Sequence, residues 1–518
     1  MMELREVFAR TVRCYPDRTA IVTDNGRTFT YEALDERSTR LANALHERIG
    51  SARCGVLALN GPPAIESMIA GNKRGVGTVQ LSYRTTASEL TEMAEGADSD
   101  ALLFDDENAD VALELLDSGT FVIAIHAGER DFGRDDVESY SAVLNEASPE
   151  LSADIRHGNE CGVLYTSGTT SAPKAVTFDQ EQLCYGAIQA VMEHGIDETD
   201  VALCTTPWYH MVTTAAWLYP HFTAGATIIL HSSFDPVEAL ELIENHEADG
   251  LLAVPTQLTA LNGVQREADY NVDSLSYIRT GGAIVSEQLV RETSEQLSDQ
   301  VYNTYGMTEA GPDLAFAHPS AQADHPGTIG KEALSWELRV VETAPLDEHP
   351  DPQATVDANE RGEIIARGPG MSTGYIDNPA AEEQSYFDGW LRTRDVATVD
   401  EDGYIYIVDR VDNMFISGGE NVYPAEVEAI LESHPAVVET CVFGLDDEQW
   451  GQVVTAVVVT EDELTVADLD EFCLDHDSLA DFKRPREYAL RDKPLPRTDT
   501  GTVIRSELVD GHFPGGSS

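Results

Sequence analysis

Short apolar runs alternate with amphipathic stretches over the first three-fifths of the chain. CGVLALN, Cys54 to Asn60, reads as a buried strand, and Gly61-Pro62-Pro63 turns it into the helical pattern AIESMIAGNKRG. The strand pattern recurs in ALLFDD (101–106), FVIAIH (121–126), VALCTTP (201–207), ATIILH (226–231) and GLLAVP (250–255). Helical periodicity lies between most of these runs. In DPVEALELIENHEA, Asp235 stands where an N-cap is expected. This alternation predicts α/β layers on mostly parallel sheets.

The pattern changes after about Pro319. WELRVVE, GEIIARG and GYIYIVDR are short strand patterns separated by Gly, Asp and Pro, without long helices between them. They predict a small, antiparallel, barrel-like β region over about 320–411. Beyond Asp412 a helix is expected from about Pro424, then strands AVVETCVFG and VVTAVVVT, then a helix near 465–477. The expected organisation is a large N-terminal α/β domain over 1–411 and a small α+β C-terminal domain over 412–510. A frayed, flexible tail is expected over 511–518.

Composition adds limits. The 518 residues are 42% hydrophobic, enough for a buried core. No apolar run approaches the roughly 20 residues a membrane helix needs. The first residues, MMELREVFAR, show no signal-type stretch, so a cytoplasmic protein without a membrane span is expected. The net charge of −59 argues against nucleic acid and anionic lipid as partners. Lysine occurs only as Lys73, Lys174, Lys331, Lys483 and Lys493. Self-repulsion at this charge opposes compaction in dilute salt. In molar salt the Debye length falls to about 3 Å and most of it is screened. A salt-rich cytoplasm is therefore the expected setting, with an acidic protein of an ordinary cell as the alternative. The seven cysteines are scattered without a C-x-x-C pair, which points to reduced thiols rather than zinc or disulfides. Oligomeric state stays open, a homo-oligomer included.

The strongest chemical signal is YTSGTTSAPKAV, Tyr165 to Val176, after an apolar run and ahead of an expected helical stretch. Thr166, Ser167, Gly168, Thr169 and Thr170 offer hydroxyl and close backbone N–H donors, and Lys174 adds charge, as a phosphate requires. The segment does not fit the G-x-x-x-x-G-K-[ST] pattern. The competing reading is a plain polar turn.

This segment resembles the phosphate loop of the adenylate-forming superfamily: acyl-CoA synthetases, firefly-type luciferases and peptide-synthetase adenylation domains. The usual form is Y-T-S-G-T-T-G-x-P-K-G-V, so Ser171 and Ala175 stand where glycine is usual. Further motifs match in order: RTGGAIVSEQL (279–289), NTYGMTEAG (303–311) and TRDVATVDEDGYIYIVDRVDNMFISGGENVYPAEVE (393–428). In the last, Arg394 replaces the usual glycine and Asp409 stands where Gly or Asp is usual. The resemblance runs from YPDRTAIV, near residue 15, to about residue 508.

The resemblance implies two reactions in one cleft. A carboxylate attacks the α-phosphorus of ATP, giving acyl-adenylate and pyrophosphate. The small domain then turns on a hinge, implied at Asp412, and a thiol attacks the acyl carbon, releasing AMP. By the same resemblance, Tyr305 stacks on adenine, beside Gly281, Gly282 and Ala283, with Asn303, Thr304 and Gly306 adjoining the nucleotide. Thr308 takes a phosphate oxygen, and Glu309 takes Mg²⁺, a hard cation suited to carboxylate and phosphate. Asp395 takes the ribose hydroxyls, and Arg410 takes ribose or phosphate. Gly418 and Gly419 lie near the pantetheine tunnel, with an ordinary tight turn as the alternative.

TPWYHMVTTAAWLYP (206–220) resembles the acyl-site segment. His210 and Trp217 are therefore candidates to line that site with Gly281 and Gly306. Asp235 reads as a cap, not as a partner for a substrate amine, so an apolar or aromatic acid is favoured over an amino acid. The catalytic set is Thr166, Lys174, Thr308, Glu309 and position 502, where the family pattern P-R-[NT]-x-x-G-K-[IV] has lysine and this chain has Thr502. The implied activity is an ATP-dependent carboxylic acid–CoA ligase using Mg²⁺ and coenzyme A. The alternatives are acyl transfer to a carrier protein, or an adenylate-binding protein whose adenylation is impaired at Thr502.

Overall fold

The strand runs of the first part pair into two layered sheets. The computed structural model describes residues 2–166, 173–311, 313–447, 450–460, 464–476, 479–497 and 503–512. The described residues form two compact units. One comprises residues up to 166, 173–337 and 366–391, and the other comprises 338–365 and the residues from 392 onward.

In the first unit, one sheet runs Lys331–Glu332, Ala315–Ala317, Val301–Tyr305, Tyr277–Gly281, Gly250–Leu252, Val201–Cys204, Thr227–Leu230, Thr19–Thr23, Thr28–Thr30. Its central pairs are parallel. The other sheet runs Gly374–Tyr375, Lys174–Asp179, Glu160–Thr166, Thr78–Gln80, Arg53–Leu57, Ser99–Phe104, Ile123–His126, Val137–Ser139. Its pairs are also parallel except at the Glu160–Thr166 end. Parallel strands need crossovers, and helices such as Pro62–Arg74 and Pro236–His246 supply them. Asp235 caps the second of these, accepting from Val237 N at 2.9 Å and Glu238 N at 3.0 Å. Such a cap is worth about 1 kcal/mol.

The helix expected after YTSGTTSAPKAV is present as Gln180–His194, with a strand coming before it. Lys174–Asp179 is a strand, antiparallel to Glu160–Thr166, and the helix starts only at Gln180. Val176, Thr177 and Phe178 are β-formers, and Val176 and Phe178 are fully buried, so the segment pairs before it coils.

Arg279 and Asp313 form a buried ion pair in this unit, and Arg279 Nη1 also donates to Ala216 O at 2.6 Å. Desolvation makes such a pair costly to break from one side, about 3–5 kcal/mol.

In the second unit, Trp390–Val399 and Ile405–Arg410 form an antiparallel hairpin within a small β region that includes Arg361–Arg367. Arg392 and Glu363, both fully buried, pair at 2.6 Å, and Arg392 also donates to the carbonyls of Ala344 and Glu348. Further on, Phe415–Ser417, Glu420–Val422, Val437–Asp447, Gly451–Thr460 and Glu487–Arg491 share one sheet. The helices Pro424–Glu432 and Val466–Asp475 contribute Val427, Leu431, Leu469 and Cys473 to its core. This is the α+β pattern expected there. All seven cysteines are free. Among the described residues no helix is long and apolar enough to cross a membrane.

Candidate active site

In parallel sheets, ligands bind outside the carboxyl ends of the strands. Tyr277–Gly281 and Val301–Tyr305 are parallel neighbours that end together, with Gly281 opposite Thr304. Gly281 has φ +156°, and a Cβ there would meet Thr304 O at 2.3 Å, so only glycine lets the two strand ends approach. Gly282 also has positive φ, +78°. Tyr305 is half-buried at its strand end, next to Gly306. Asn303 is buried and donates to Thr328 O at 3.0 Å, while Thr304 donates to Thr280 O at 3.2 Å. Ala283 follows at the exposed edge of this group.

The chain then makes a short turn, Thr308–Ala310, with Glu309 buried. Tyr375 OH donates to Glu309 Oε1 at 2.6 Å. The Lys174 ammonium lies 5.5 Å from the Tyr375 ring centroid. Lys174 pairs across its hairpin with Thr166, at the base of the 167–172 connection. Thr166, Lys174, Tyr375 and Glu309 are thus linked through three segments of the same unit. Ser167, Gly168, Thr169 and Thr170 lie outside the described residues.

Sequence reasoning misses Tyr375. It stands in MSTGYIDNP, where no periodicity marks it. Its only local signal is Gly374, at φ +126°, where a Cβ would meet the Glu382 carboxylate at 2.2 Å. Burial, reinforced by the Glu309 charge, pushes the Tyr375 phenol well above its ordinary value. It is therefore a permanent donor to Glu309 at physiological pH.

His210 opens the short helical stretch Met211–Thr213, which continues into a π-turn over Thr214–Leu218. Its ring packs 4.4 Å from Tyr209, which in turn lies 5.1 Å from Tyr83. Burial, with Arg84 second, pushes the His210 imidazole down to about 3, so it is neutral. Its Nε2 is buried without a hydrogen-bond partner. Trp217 lies fully inside the core, its ring 4.3 Å from His221 and 5.7 Å from Tyr277.

The remaining candidates belong to the second unit. Asp395 is buried and accepts from Arg410 Nη1 at 3.0 Å. A bulge between Val396 and Ala397 re-aims the partner strand just before Arg410. Asp412 pairs with both Arg394 and Arg410. Gly418 and Gly419, at φ +62° and +91°, form the two-residue turn between strands that pair Ser417 with Glu420. Positive φ at both positions is what such hairpins require. A Cβ on Gly418 would also meet the Trp450 ring at 2.9 Å. Thr502 lies outside the described residues. The chain on either side of it closes in a bridge between Arg497 and Val503.

Residues 8–376 match the family described as AMP-binding enzyme. The chain belongs to that family. Residues 426–502 match the AMP-binding enzyme C-terminal domain. A feruloyl-CoA synthase of an Amycolatopsis species is 31% identical over 502 residues, 96% of this chain and 97% of the relative. ATP-bound MatB from Rhodopseudomonas palustris is similar in structure, with TM-score 0.87, 26% identity and 99% of each chain covered. The o-succinylbenzoate CoA synthetase MenE of Bacillus subtilis, with its acyl-adenylate intermediate OSB-AMP, gives TM-score 0.83 at 27% identity over 98% of each chain. The same enzyme with ATP and magnesium ion gives 0.82 at 27%, covering 97% of this chain and 99% of that one.

Proposed function

We propose that this member of the AMP-binding family is an AMP-forming carboxylic acid–CoA ligase. It uses ATP and Mg²⁺ and works through an acyl-adenylate. The observation that carries this reading is the Lys174–Tyr375–Glu309 cluster, in a chain matched along almost its whole length by such ligases. Lys174 supplies positive charge where carboxylate and triphosphate repel. Thr166 and Thr308 supply hydroxyl donors to phosphate oxygens. Tyr305 provides the adenine platform beside Gly281 and Gly282. Among the described residues no cluster of three metal-ligating side chains exists. A single buried carboxylate, Glu309, completed by triphosphate oxygens, is the donor set Mg²⁺ favours. Bound there, Mg²⁺ would neutralise phosphate charge.

The neutral His210 beside Tyr209 and Tyr83 supports an aromatic or apolar acid as substrate. Asp235, spent on its helix cap, leaves no support for an amine-bearing one. The test is incubation with ATP, Mg²⁺, CoA and a panel of aryl and fatty acids in molar KCl. AMP and an acyl-CoA thioester are expected, and thioester absent across the panel would overturn the reading. The excess of 92 acidic over 33 basic residues supports work in a salt-rich cytoplasm. Activity should therefore rise from dilute buffer to molar KCl, and a steady fall would contradict it.

Tyr375→Phe removes the donor to Glu309 and the hydroxyl's contact with Ser385 Oγ at 3.2 Å, and keeps the ring. A hydrogen bond to a charged group contributes about 1.5–3 kcal/mol. Adenylation should fall about tenfold or more and need more Mg²⁺ for half-saturation. An unchanged Mg²⁺ requirement would show that Tyr375 does not hold the metal's carboxylate.

A further inference from the structure

Arg394 has φ +63°, a conformation that side chains other than glycine rarely adopt. Such strain persists only where the surroundings over-determine it. Here they do. Val411 N donates to Arg394 O at 2.7 Å. Arg394 Nη1 donates to Asp412 Oδ1 at 3.2 Å. The other Asp412 oxygen accepts from Arg410 Nη2 at 3.3 Å, and Arg410 Nη1 reaches Asp395 at 3.0 Å. Four charges of alternating sign therefore run from Asp395 to Arg394. Asp409 ties the same turn onward, accepting from Asn413 Nδ2 at 2.9 Å and from Ala425 N at 2.8 Å, at the start of the helix Pro424–Glu432.

We infer that Arg394 is a positioning residue for the ligase reaction. By holding the Asp412 carboxylate it fixes the turn that comes after Arg410, and so biases the exchange between the chain arrangements that serve adenylation and thioester formation. The side chain is what the strained backbone is kept for: glycine would take φ +63° without strain but would hold nothing. The inference rests on the ligase reading for its kinetic part only.

Arg394→Gly is the discriminating variant, because it relaxes the backbone while removing the guanidinium. Adenylation is followed by ATP–pyrophosphate exchange, and the second step by mixing preformed acyl-adenylate with CoA. Partly exposed ion pairs are weak, so one half-reaction should change by about three- to fivefold while the other stays put. Arg394→Lys should restore much of the wild-type balance. Arg394→Gly and Asp412→Asn should be non-additive when combined. Amide hydrogen exchange at Val411 and Asn413, without any ligand, should speed up about three- to fivefold in Arg394→Gly. Equal effects on both half-reactions, additive variants, or unchanged exchange would overturn the inference. A wild-type chain inactive in both steps would sink the ligase reading instead, and hydrogen exchange would still judge the hold of Arg394 on the turn.

Discussion

Thr502→Lys should accelerate acyl-adenylate formation by about 10²-fold, the size of one charged contact to a developing transition state. Thioester formation from preformed acyl-adenylate should not change, because the charge is needed where carboxylate and triphosphate meet. Position 502 itself lies outside the described residues, but the cations around it are placed. Arg497 pairs with Glu439 at 2.5 Å. Arg505 pairs with Glu428 at 3.0 Å and donates to Val442 O at 3.4 Å. Both arginines are thus committed within their own unit. Lys493 is exposed and has no carboxylate partner among the described residues. The wild-type enzyme is therefore expected to adenylate slowly, with Lys493 the nearest uncommitted cation along the chain. ATP–pyrophosphate exchange measures the effect. An equally fast wild type and Thr502→Lys would show that the charge is already supplied, and a loss in Lys493→Ala would then identify the supplier.

Acidification from pH 8 to 4.5 should draw down the stability of the first unit through its buried histidines His194, His210 and His221, against the opposing contribution of Asp200 and Asp313, whose carboxyls burial raises to about 6. His194 and His221 are buried, and burial is the leading cause that lowers both imidazoles. His221 falls to about 4 and His194 lies well below its ordinary value. His194 has neither ring nitrogen hydrogen-bonded, while His221 Nε2 meets Tyr277 OH at 2.8 Å. The folded chain keeps both rings neutral, whereas the unfolded chain protonates them below about pH 6.5. The unfolded state then binds more protons, so stability is complete above pH 6.5 and falls as pH drops toward the folded values. Between pH 6.5 and its folded value of about 4, His221 contributes about 1.4 kcal/mol per pH unit. Urea midpoints at pH 8, 6.5 and 4.5 in constant salt would report it. His194→Phe should lessen the pH dependence. An identical slope in that variant would remove His194 from the account.

Legibility divides along the range of the interactions. The apolar runs at 101–106, 226–231 and 250–255 correspond to the strands Ser99–Phe104, Thr227–Leu230 and Gly250–Leu252, because burial on both faces of a parallel strand writes a continuous apolar run. Asp235 is readable as a cap because its partners lie two and three residues away. The helix expected after YTSGTTSAPKAV forms only beyond the strand Lys174–Asp179, which pairs with Glu160–Thr166 before the chain coils at Gln180. Tyr375 is invisible in the sequence, because its contact with Glu309 spans 66 residues and nothing local demands it.

The sequence by itself determined the order of strands and helices, the family and the chemistry that family performs. Those depend on periodicity and on short motifs, both carried by neighbours in the chain. The tertiary structure decided which of the 92 acidic residues are buried and paired. It set Glu309 under the Tyr375 hydroxyl, and Asp412 between two arginines, one of them held in a strained backbone. Burial and pairing are properties of residues far apart along the chain, and only the folded backbone brings them within hydrogen-bond distance.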